Sequence, residues 1–193
     1  MNIEEEEFLS EVETKIKTKP KARKKSINSK RKGSAAELEL AHILNERFQG
    51  YTFARSVQSG AYTGGFNQSR AEALTEEQRL VFSGDIRVPK NFKFTIEHKA
   101  YAEFDFWWLF NLKSELYNWY EQSTTDARNV GKIPMLVVKI NNHKRIAFIP
   151  TDVLPEPGDG VPMPIFFHNG RACYWFEDLL KLPDEYFFNV DKT

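Results

Sequence analysis

Residues 94–99, with the sequence Phe-Thr-Ile-Glu-His-Lys, restrict the possible fold more than any other segment of the chain. The pattern predicts a β-strand, and successive side chains of a strand point to opposite faces of its sheet. Glu97 and Lys99 must therefore leave the backbone on one face, while Ile96 and His98 leave it on the other. A carboxylate and an ammonium group are thus expected in the same space.

A second short strand is predicted for residues 83–88, Ser-Gly-Asp-Ile-Arg-Val. If it lies beside the first strand, Asp85 joins Glu97 and Lys99. Two carboxylates then offer hard oxygen ligands to a divalent cation, with a lysine close by. The pair of strands is therefore a candidate metal site.

The composition fits one intracellular domain without a membrane segment. The chain has 193 residues, of which 41% are hydrophobic. No apolar run approaches the roughly 20 residues that cross a bilayer, and the N-terminus is acidic where a signal peptide is basic. Cys173 is the single cysteine, so we expect neither an internal disulfide nor a cysteine-based zinc site, but a small buried apolar side chain.

A net charge of zero conceals a basic arm. Residues 1–13 contain six Glu, whereas residues 14–32 contain ten Lys or Arg and no acid. Such an arm suits phosphate backbones, and a solvated tail that aids solubility explains the charge equally well. We expect residues 1–32 to be a mostly disordered arm and residues 33–193 to be one globular domain.

The first helix of the globular domain is predicted from Ser34 to Phe48, because Ser34 and Glu37 form a capping box. Glu37 would then lie in the first turn, in line with an apolar stripe that includes Ala41 and Leu44. Two interpretations of Glu37 remain open. It caps the Ser34 amide, or it faces the sheet as a metal ligand or as an acid that holds a metal-bound water.

The remaining elements follow from periodicity and turn residues. Residues 103–110, an unusually aromatic stretch, are open to three interpretations: core, dimer surface or a platform for stacking on bases. Core or dimer packing is favoured, because stacking on bases requires exposed side chains, and the sequence does not show which side chains are exposed. The other expected elements are a strand at 51–57, a glycine-rich loop at 59–65, one or two helices within 68–82, a helix at 112–129, a buried strand at 133–140 that leads into a hairpin with 144–149, a hairpin of 165–168 with 171–176, and a helix at 177–182.

The order of these pieces resembles the PD-(D/E)xK nuclease superfamily, and within it most closely the archaeal-type and phage Holliday junction resolvases. The likeness runs from Lys32 to Ile149. Two departures are visible: Gly84 stands where the family usually has proline, and the insertion between Ser59 and Asp85 is long. The pieces that carry the resemblance are Arg31-Lys32-Gly33-Ser34-Ala35-Ala36-Glu37, Arg55 with Ser59-Gly60, Gly84-Asp85-Ile86, Ile96-Glu97-His98-Lys99, and Glu121-Gln122 with the strand after Gly131.

The resemblance implies an α/β fold with a restriction-endonuclease-like core, in which helices flank a mixed β-sheet. That core would span 33–150, with a C-terminal hairpin extension at 151–193. It further implies a homodimeric, Mg²⁺-dependent endonuclease, with Mn²⁺ as a possible substitute. Such an enzyme would cut four-way DNA junctions in recombination, repair or phage DNA processing, in the cytoplasm of a prokaryotic or phage-infected cell.

Residue roles come from the same resemblance. The expected catalytic residues are Glu37, Ser59, Asp85, Glu97, Lys99 and Gln122. The expected metal ligands are Asp85, Glu97 and the backbone carbonyl of His98, with Glu37 acting through water. The expected DNA-binding residues are Lys24, Lys25, Lys30, Arg31, Lys32, Gly33, Arg55 and Ser59.

Two rival functions fit the same residues. One is a restriction-like or repair nuclease that acts on linear, flapped or single-stranded DNA. The other is a DNA-binding module on a nuclease scaffold without turnover. The presence of all the acids and the lysine that the chemistry needs favours an enzyme over such a module.

Overall fold

The structure is a computed structural model that describes residues 29–56, 75 and 83–189. The predictions for the rest of the arm and for most of the 57–82 segment lie outside the described residues. Among the expected site residues, this applies to Lys24, Lys25 and Ser59, and also to the side chain of Lys30. No described helix has the length and apolar character to cross a membrane.

In the described part of the chain, seven strands form one mixed sheet with the order β1-β2-β3-β4-β5-β7-β6. This arrangement confirms the predicted mixed sheet with flanking helices. The helices are α1 (Ser29–Arg47), α2 (Glu115–Asn129), α3 (Phe176–Leu179) and α4 (Asp184–Phe187). The strands are β1 (Ala54–Arg55), β2 (Ile86–Arg87), β3 (Phe94–Tyr101), β4 (Ile133–Ile140), β5 (Arg145–Pro150), β6 (Phe166–His168) and β7 (Arg171–Trp175).

The parallel pair β3 and β4 forms the centre of the sheet, and the other strand pairs are antiparallel. The register runs from Phe94 opposite Ile133 to Tyr101 opposite Ile140. A parallel pair needs a crossover connection, and α2 lies between the two strands in sequence and supplies it. The helix ends at Asn129, two residues before Gly131, whose φ of 64° matches the predicted helix stop.

Two apolar layers cover the two faces of the sheet. Ile96 and Val137 belong to the layer that contains α1, whereas Leu136 and Val138 belong to the layer that contains α2. The alternation along β4 explains why residues 133–140 read as a nearly continuous apolar run, since both of its faces are covered. Cys173 is fully buried in the α2 layer, as predicted.

The first helix begins earlier than its capping box suggested. Helix α1 is already formed at Ser29, so Ser34 is an interior residue and not the N-cap. Glu37 therefore lies more than two turns into the helix. Gly33 also lies inside the helix, so its backbone N–H is not one of the four open N–H groups at the start of the helix.

Three other expectations need correction. The strand predicted at 51–57 is only Ala54–Arg55. The helix predicted at 177–182 is shorter, Phe176–Leu179, and a second short helix, Asp184–Phe187, follows it. For Phe106, Trp107 and Phe110 the core interpretation of the aromatic segment is wrong, because these side chains are 61 to 70% exposed.

The C-terminal extension is part of the same sheet and core. Strand β7 pairs with β5, and β6 pairs with the far side of β7, which confirms the second hairpin. Phe187 is fully buried and packs edge-on against Phe48 of the segment that follows α1. Burying such aromatic side chains stabilises the fold by about 2 kcal/mol each.

Candidate active site

Strand β3 brings two of the expected catalytic side chains together. Lys99 Nζ lies 2.5 Å from Glu97 Oε1, which confirms that both side chains share a face. The same ammonium group donates to Gln122 Oε1 of α2 at 3.2 Å. Lys99 is thus held between a strand carboxylate and a helix amide.

Asp85 lies next to Glu97 and Lys99, directly before the first residue of the neighbouring strand β2. The Asp85 N–H donates to the Ile96 carbonyl at 2.9 Å, and the Asp85 Oδ2 atom accepts from the His98 N–H at 2.9 Å. These two bonds attach Asp85 to the edge of β3 on either side of Glu97. The structure therefore places the three expected core residues of the site, Asp85, Glu97 and Lys99, in one cluster.

The Glu97 carboxylate is sealed from solvent and only half satisfied. Its side chain is 1% exposed, and Oε2 is buried without a hydrogen-bond partner. Burial and the negative charge of Asp85 raise the pKa of Glu97 to about 8, although Lys99 acts in the opposite direction. An unpaired buried acceptor is costly, and a cation would relieve this cost.

Glu97 and Lys99 each shift the pKa of the other. Burial alone would lower the pKa of Lys99, but the Glu97 carboxylate, its hydrogen bond and Asp85 outweigh burial and raise it. Lys99 therefore stays an ammonium group at neutral pH. It supplies a positive charge beside the two acids Asp85 and Glu97.

His98 lies on the other face of β3, as its position in the strand predicted. Burial lowers the pKa of its imidazole to about 4, and its Nε2 atom is buried without a partner. The charges around it include Arg145 and Glu39, which lie on the α1 side of the sheet. The C=O of a strand residue points the same way as its N–H, so the His98 carbonyl faces the edge that Asp85 occupies.

Glu37 and Arg55 form an ion pair with each other. Arg55 Nε donates to Glu37 Oε2 at 2.5 Å. The expected hydrogen bond from the Ser34 N–H to the Glu37 carboxylate does not apply, since Ser34 lies inside the helix. One oxygen of Glu37 and one donor of Arg55 are therefore already engaged.

Two of the expected phosphate-binding residues lie at the start of α1. Arg31 is exposed, and Lys32 Nζ donates to Asn141 Oδ1 at 2.9 Å. That contact places Lys32 beside the turn after β4. The DNA-binding roles of both residues stay predictions.

Asp126 is an acidic residue of this site that the sequence analysis missed. It lies four residues after Gln122 on α2, so the two side chains project from the same side of the helix one turn apart. Burial and Asp85 raise the pKa of Asp126 to about 6. The spacing of four after Gln122 was the available signal, but it does not show which helix face covers Glu97.

The donors present fit a divalent cation. Mg²⁺ is usually held by one or two carboxylates together with water, and the site offers Asp85, Glu97 and the carbonyl edge at His98. The unpartnered Oε2 of Glu97 is the observation that favours a cation here. Within the described part of the chain, no three His, Cys, Asp or Glu side chains are already grouped as a complete metal cage.

The comparison with protein families agrees with this geometry. Residues 28–156 match the sequence model of the family described as "Phage putative PDDEXK endonuclease". No curated protein and no solved structure was found to match the chain significantly. The matched range covers well over half of the chain and includes Asp85, Glu97, Lys99 and Gln122. The chain belongs to this phage PD-(D/E)xK endonuclease family.

Proposed function

We propose that the protein is a metal-dependent DNA endonuclease that resolves four-way junctions as a homodimer. The observation that carries the catalytic part is the Glu97 carboxylate. It is buried and pressed against Lys99, and its second oxygen has no partner. A cation site beside a fixed ammonium group matches the needs of phosphodiester hydrolysis, in which negative charge gathers on the phosphate and on the leaving oxygen.

Mg²⁺, with Mn²⁺ as a substitute, is the proposed cofactor. Asp85, Glu97 and the backbone carbonyl of His98 would hold it, and Glu37 would contribute through water. When bound, such an ion polarises a phosphoryl oxygen and lowers the pKa of water. The ion would also satisfy the buried oxygen of Glu97 that the protein leaves unpaired.

Lys99 and Gln122 act on the nucleophile and on the phosphate. Lys99 holds the attacking water or offsets the charge of the transition state. Its ammonium group is already oriented by Glu97 at 2.5 Å and by Gln122 at 3.2 Å, so little ordering remains when DNA binds. The His98 side chain takes no part, because it projects from the opposite face of β3.

Phosphate binding is assigned to Arg55, to Ser59 and to the basic arm. Arg55 is held by Glu37 and keeps guanidinium N–H groups beyond the one that this ion pair uses. The arm residues, among them Lys24 and Lys25, would neutralise more distant phosphates.

The junction and the homodimer rest on the resemblance to resolvases and on the need for two sites to nick two strands. The exposed aromatic cluster of Phe106, Trp107 and Phe110 is the proposed dimer surface. Its ring centroids lie 5.3 to 6.0 Å apart, and each ring is mostly exposed. Contiguous exposed aromatic surface of this kind is typical of protein contacts.

A substrate panel tests the proposal. The purified full chain is incubated with Mg²⁺ and, in separate reactions, a synthetic four-way junction, a linear duplex, a flap and a single strand. We expect paired symmetric nicks in the junction and little cleavage of the other substrates. Preferred cleavage of linear, flapped or single-stranded DNA would contradict the resolvase function and would favour a restriction-like or repair nuclease.

Active-site variants complete the test. Lys99→Ala should abolish cleavage while binding of the junction stays nearly intact, and the exposed Lys113→Ala serves as the matched control. Binding without cleavage of any substrate by the unmodified protein would indicate a module without turnover.

A further inference from the structure

Asp126 lies beside the proposed cation site without an assigned role. It projects from the same side of α2 as Gln122, which contacts Lys99. The Ser83 hydroxyl donates to the Asp126 carbonyl at 2.9 Å and so ties this turn of α2 to the segment that carries Asp85. The backbone at Asp126 is therefore fixed next to the centre.

No structural partner explains the side chain of Asp126. Its carboxylate makes no hydrogen bond or ion pair within the part of the chain that the structure describes. Its strongest electrostatic neighbour is another acid, Asp85, and it also acts on Glu97. Among the described residues, Lys99 is the base that acts on both Glu97 and Asp126, and Asp85 raises the pKa of both.

Two independent observations thus point to the same missing positive charge. One is the partly buried, unpartnered acid on α2. The other is the buried Oε2 of Glu97, which has no partner although its side chain is 1% exposed. Like charges held together in a region of low dielectric are unfavourable unless a cation binds between them.

We infer that Asp126 is a further acid of the cation centre, which strengthens divalent-cation binding from the α2 side. This inference rests on the proposed function. Because Asp85, Glu97 and Asp126 are not grouped as a direct cage in the described structure, Asp126 acts across intervening water and not as a direct ligand. Groups in such an outer position change metal affinity by about 10- to 100-fold when they are removed.

Calorimetric titration of Mg²⁺ and of Mn²⁺ into the full chain tests the inference. Asp126→Asn should weaken binding by about tenfold or more, and Asp126→Glu should recover part of the loss. Glu121→Gln is the matched control, because it removes one negative charge from an exposed position on the same helix. Equal affinities for Asp126→Asn and Glu121→Gln would overturn the inference.

Thermal unfolding of the unmodified protein and of Asp126→Asn, in EDTA and in Mg²⁺, provides a second test. In EDTA, Asp126→Asn should raise the melting temperature, because it removes repulsion between Asp126 and Asp85. In Mg²⁺, the same variant should gain less stability from the cation than the unmodified protein gains. A lower melting temperature in EDTA would show a structural role for the carboxylate and would overturn the inference.

The results also separate this inference from the proposed function. If the unmodified protein binds no divalent cation, the metal-dependent function fails and the role of Asp126 fails with it. If the unmodified protein and Asp126→Asn bind the cation equally well, the role of Asp126 alone fails.

Discussion

A Cβ atom placed on Gly84 would lie 2.7 Å from the carbonyl oxygen of Ile96. Gly84 also has a φ of +72°, which side chains of L-amino acids rarely adopt and which proline cannot adopt. Its neighbour Asp85 binds the same Ile96 carbonyl through its N–H. The glycine thus replaces the proline typical of the family because the chain approaches β3 too closely here for any side chain.

Gly84→Ala should therefore destabilise the protein and displace Asp85. Gly131→Ala is the matched control, because Gly131 also has a positive φ, 64°, but has open space around it. We expect Gly84→Ala to lower the free energy of unfolding by about 1–3 kcal/mol more than the control, since a steric clash adds to the strain in φ. Denaturant unfolding measures the difference. Equal losses in the two variants would contradict the close approach.

Without divalent cations, Glu97 should make stability depend on pH. Its pKa rises from about 4.5, the ordinary value for the unfolded chain, to about 8 in the folded protein. Between these values the folded protein binds more protons than the unfolded chain, so the free energy of unfolding should fall as pH rises from about 4.5 to about 8. Glu97→Gln should lose this decline.

The comparison requires urea unfolding of both proteins in EDTA across this pH range. His98 also titrates differently in the two states, but it is present in both proteins and its contribution cancels in the difference. We expect the stability difference between the variant and the unmodified protein to grow by a few kcal/mol towards pH 8. Parallel profiles would show that burial does not raise the pKa of Glu97.

The aromatic segment contains neighbouring tryptophans with different roles. Trp108 packs against Tyr101 and Trp119, whereas Trp107 is 70% exposed. Trp108→Ala should cost about 2–3 kcal/mol of folding free energy, and Trp107→Ala less than about 1 kcal/mol. Thermal unfolding checks both values.

Trp107→Ala should nevertheless weaken the dimer if the exposed cluster is its surface. Sedimentation of the unmodified protein and of the variant at matched concentrations measures this effect. An unchanged dimer would place the interface elsewhere, and a monomeric unmodified protein would contradict the proposed assembly.

The basic arm should contribute to DNA affinity through phosphate neutralisation. Because α1 is already formed at Ser29, the informative deletion removes residues 1–27 and spares the helix. We expect weaker junction binding and a shallower dependence of affinity on salt, since fewer counterions are released. Fluorescence anisotropy at several salt concentrations measures the slope. An unchanged slope would indicate that the arm does not contact DNA.

Local rules were sufficient for the centre of the fold and for part of the site. Strand alternation alone placed Glu97 and Lys99 together and turned His98 away, and an uninterrupted apolar run identified β4 at 133–140. These features depend on one strand at a time. The sequence therefore predicted them without knowledge of the neighbouring elements.

Features that depend on several elements could not be predicted in this way. The capping box at Ser34 is a local signal, but the residues before it continue the helix and override it. Asp126 becomes part of the site only because the β3–β4 crossover lays α2 over Glu97. The exposure of Trp107 likewise depends on which residues of its segment pack against the rest of the protein. Trp108, and not Trp107, packs against Tyr101 and Trp119.

The most direct test of the central claim uses a closed circular DNA that extrudes a cruciform from an inverted repeat. The molecule presents a four-way junction and no ends, so any cleavage is endonucleolytic. We predict that the unmodified protein linearises it in Mg²⁺ by paired nicks at the base of the cruciform, while EDTA or Asp85→Asn prevents cleavage. An intact circle after incubation with protein and Mg²⁺, or equal cleavage by Asp85→Asn, would contradict a metal-dependent junction endonuclease centred on Asp85, Glu97 and Lys99.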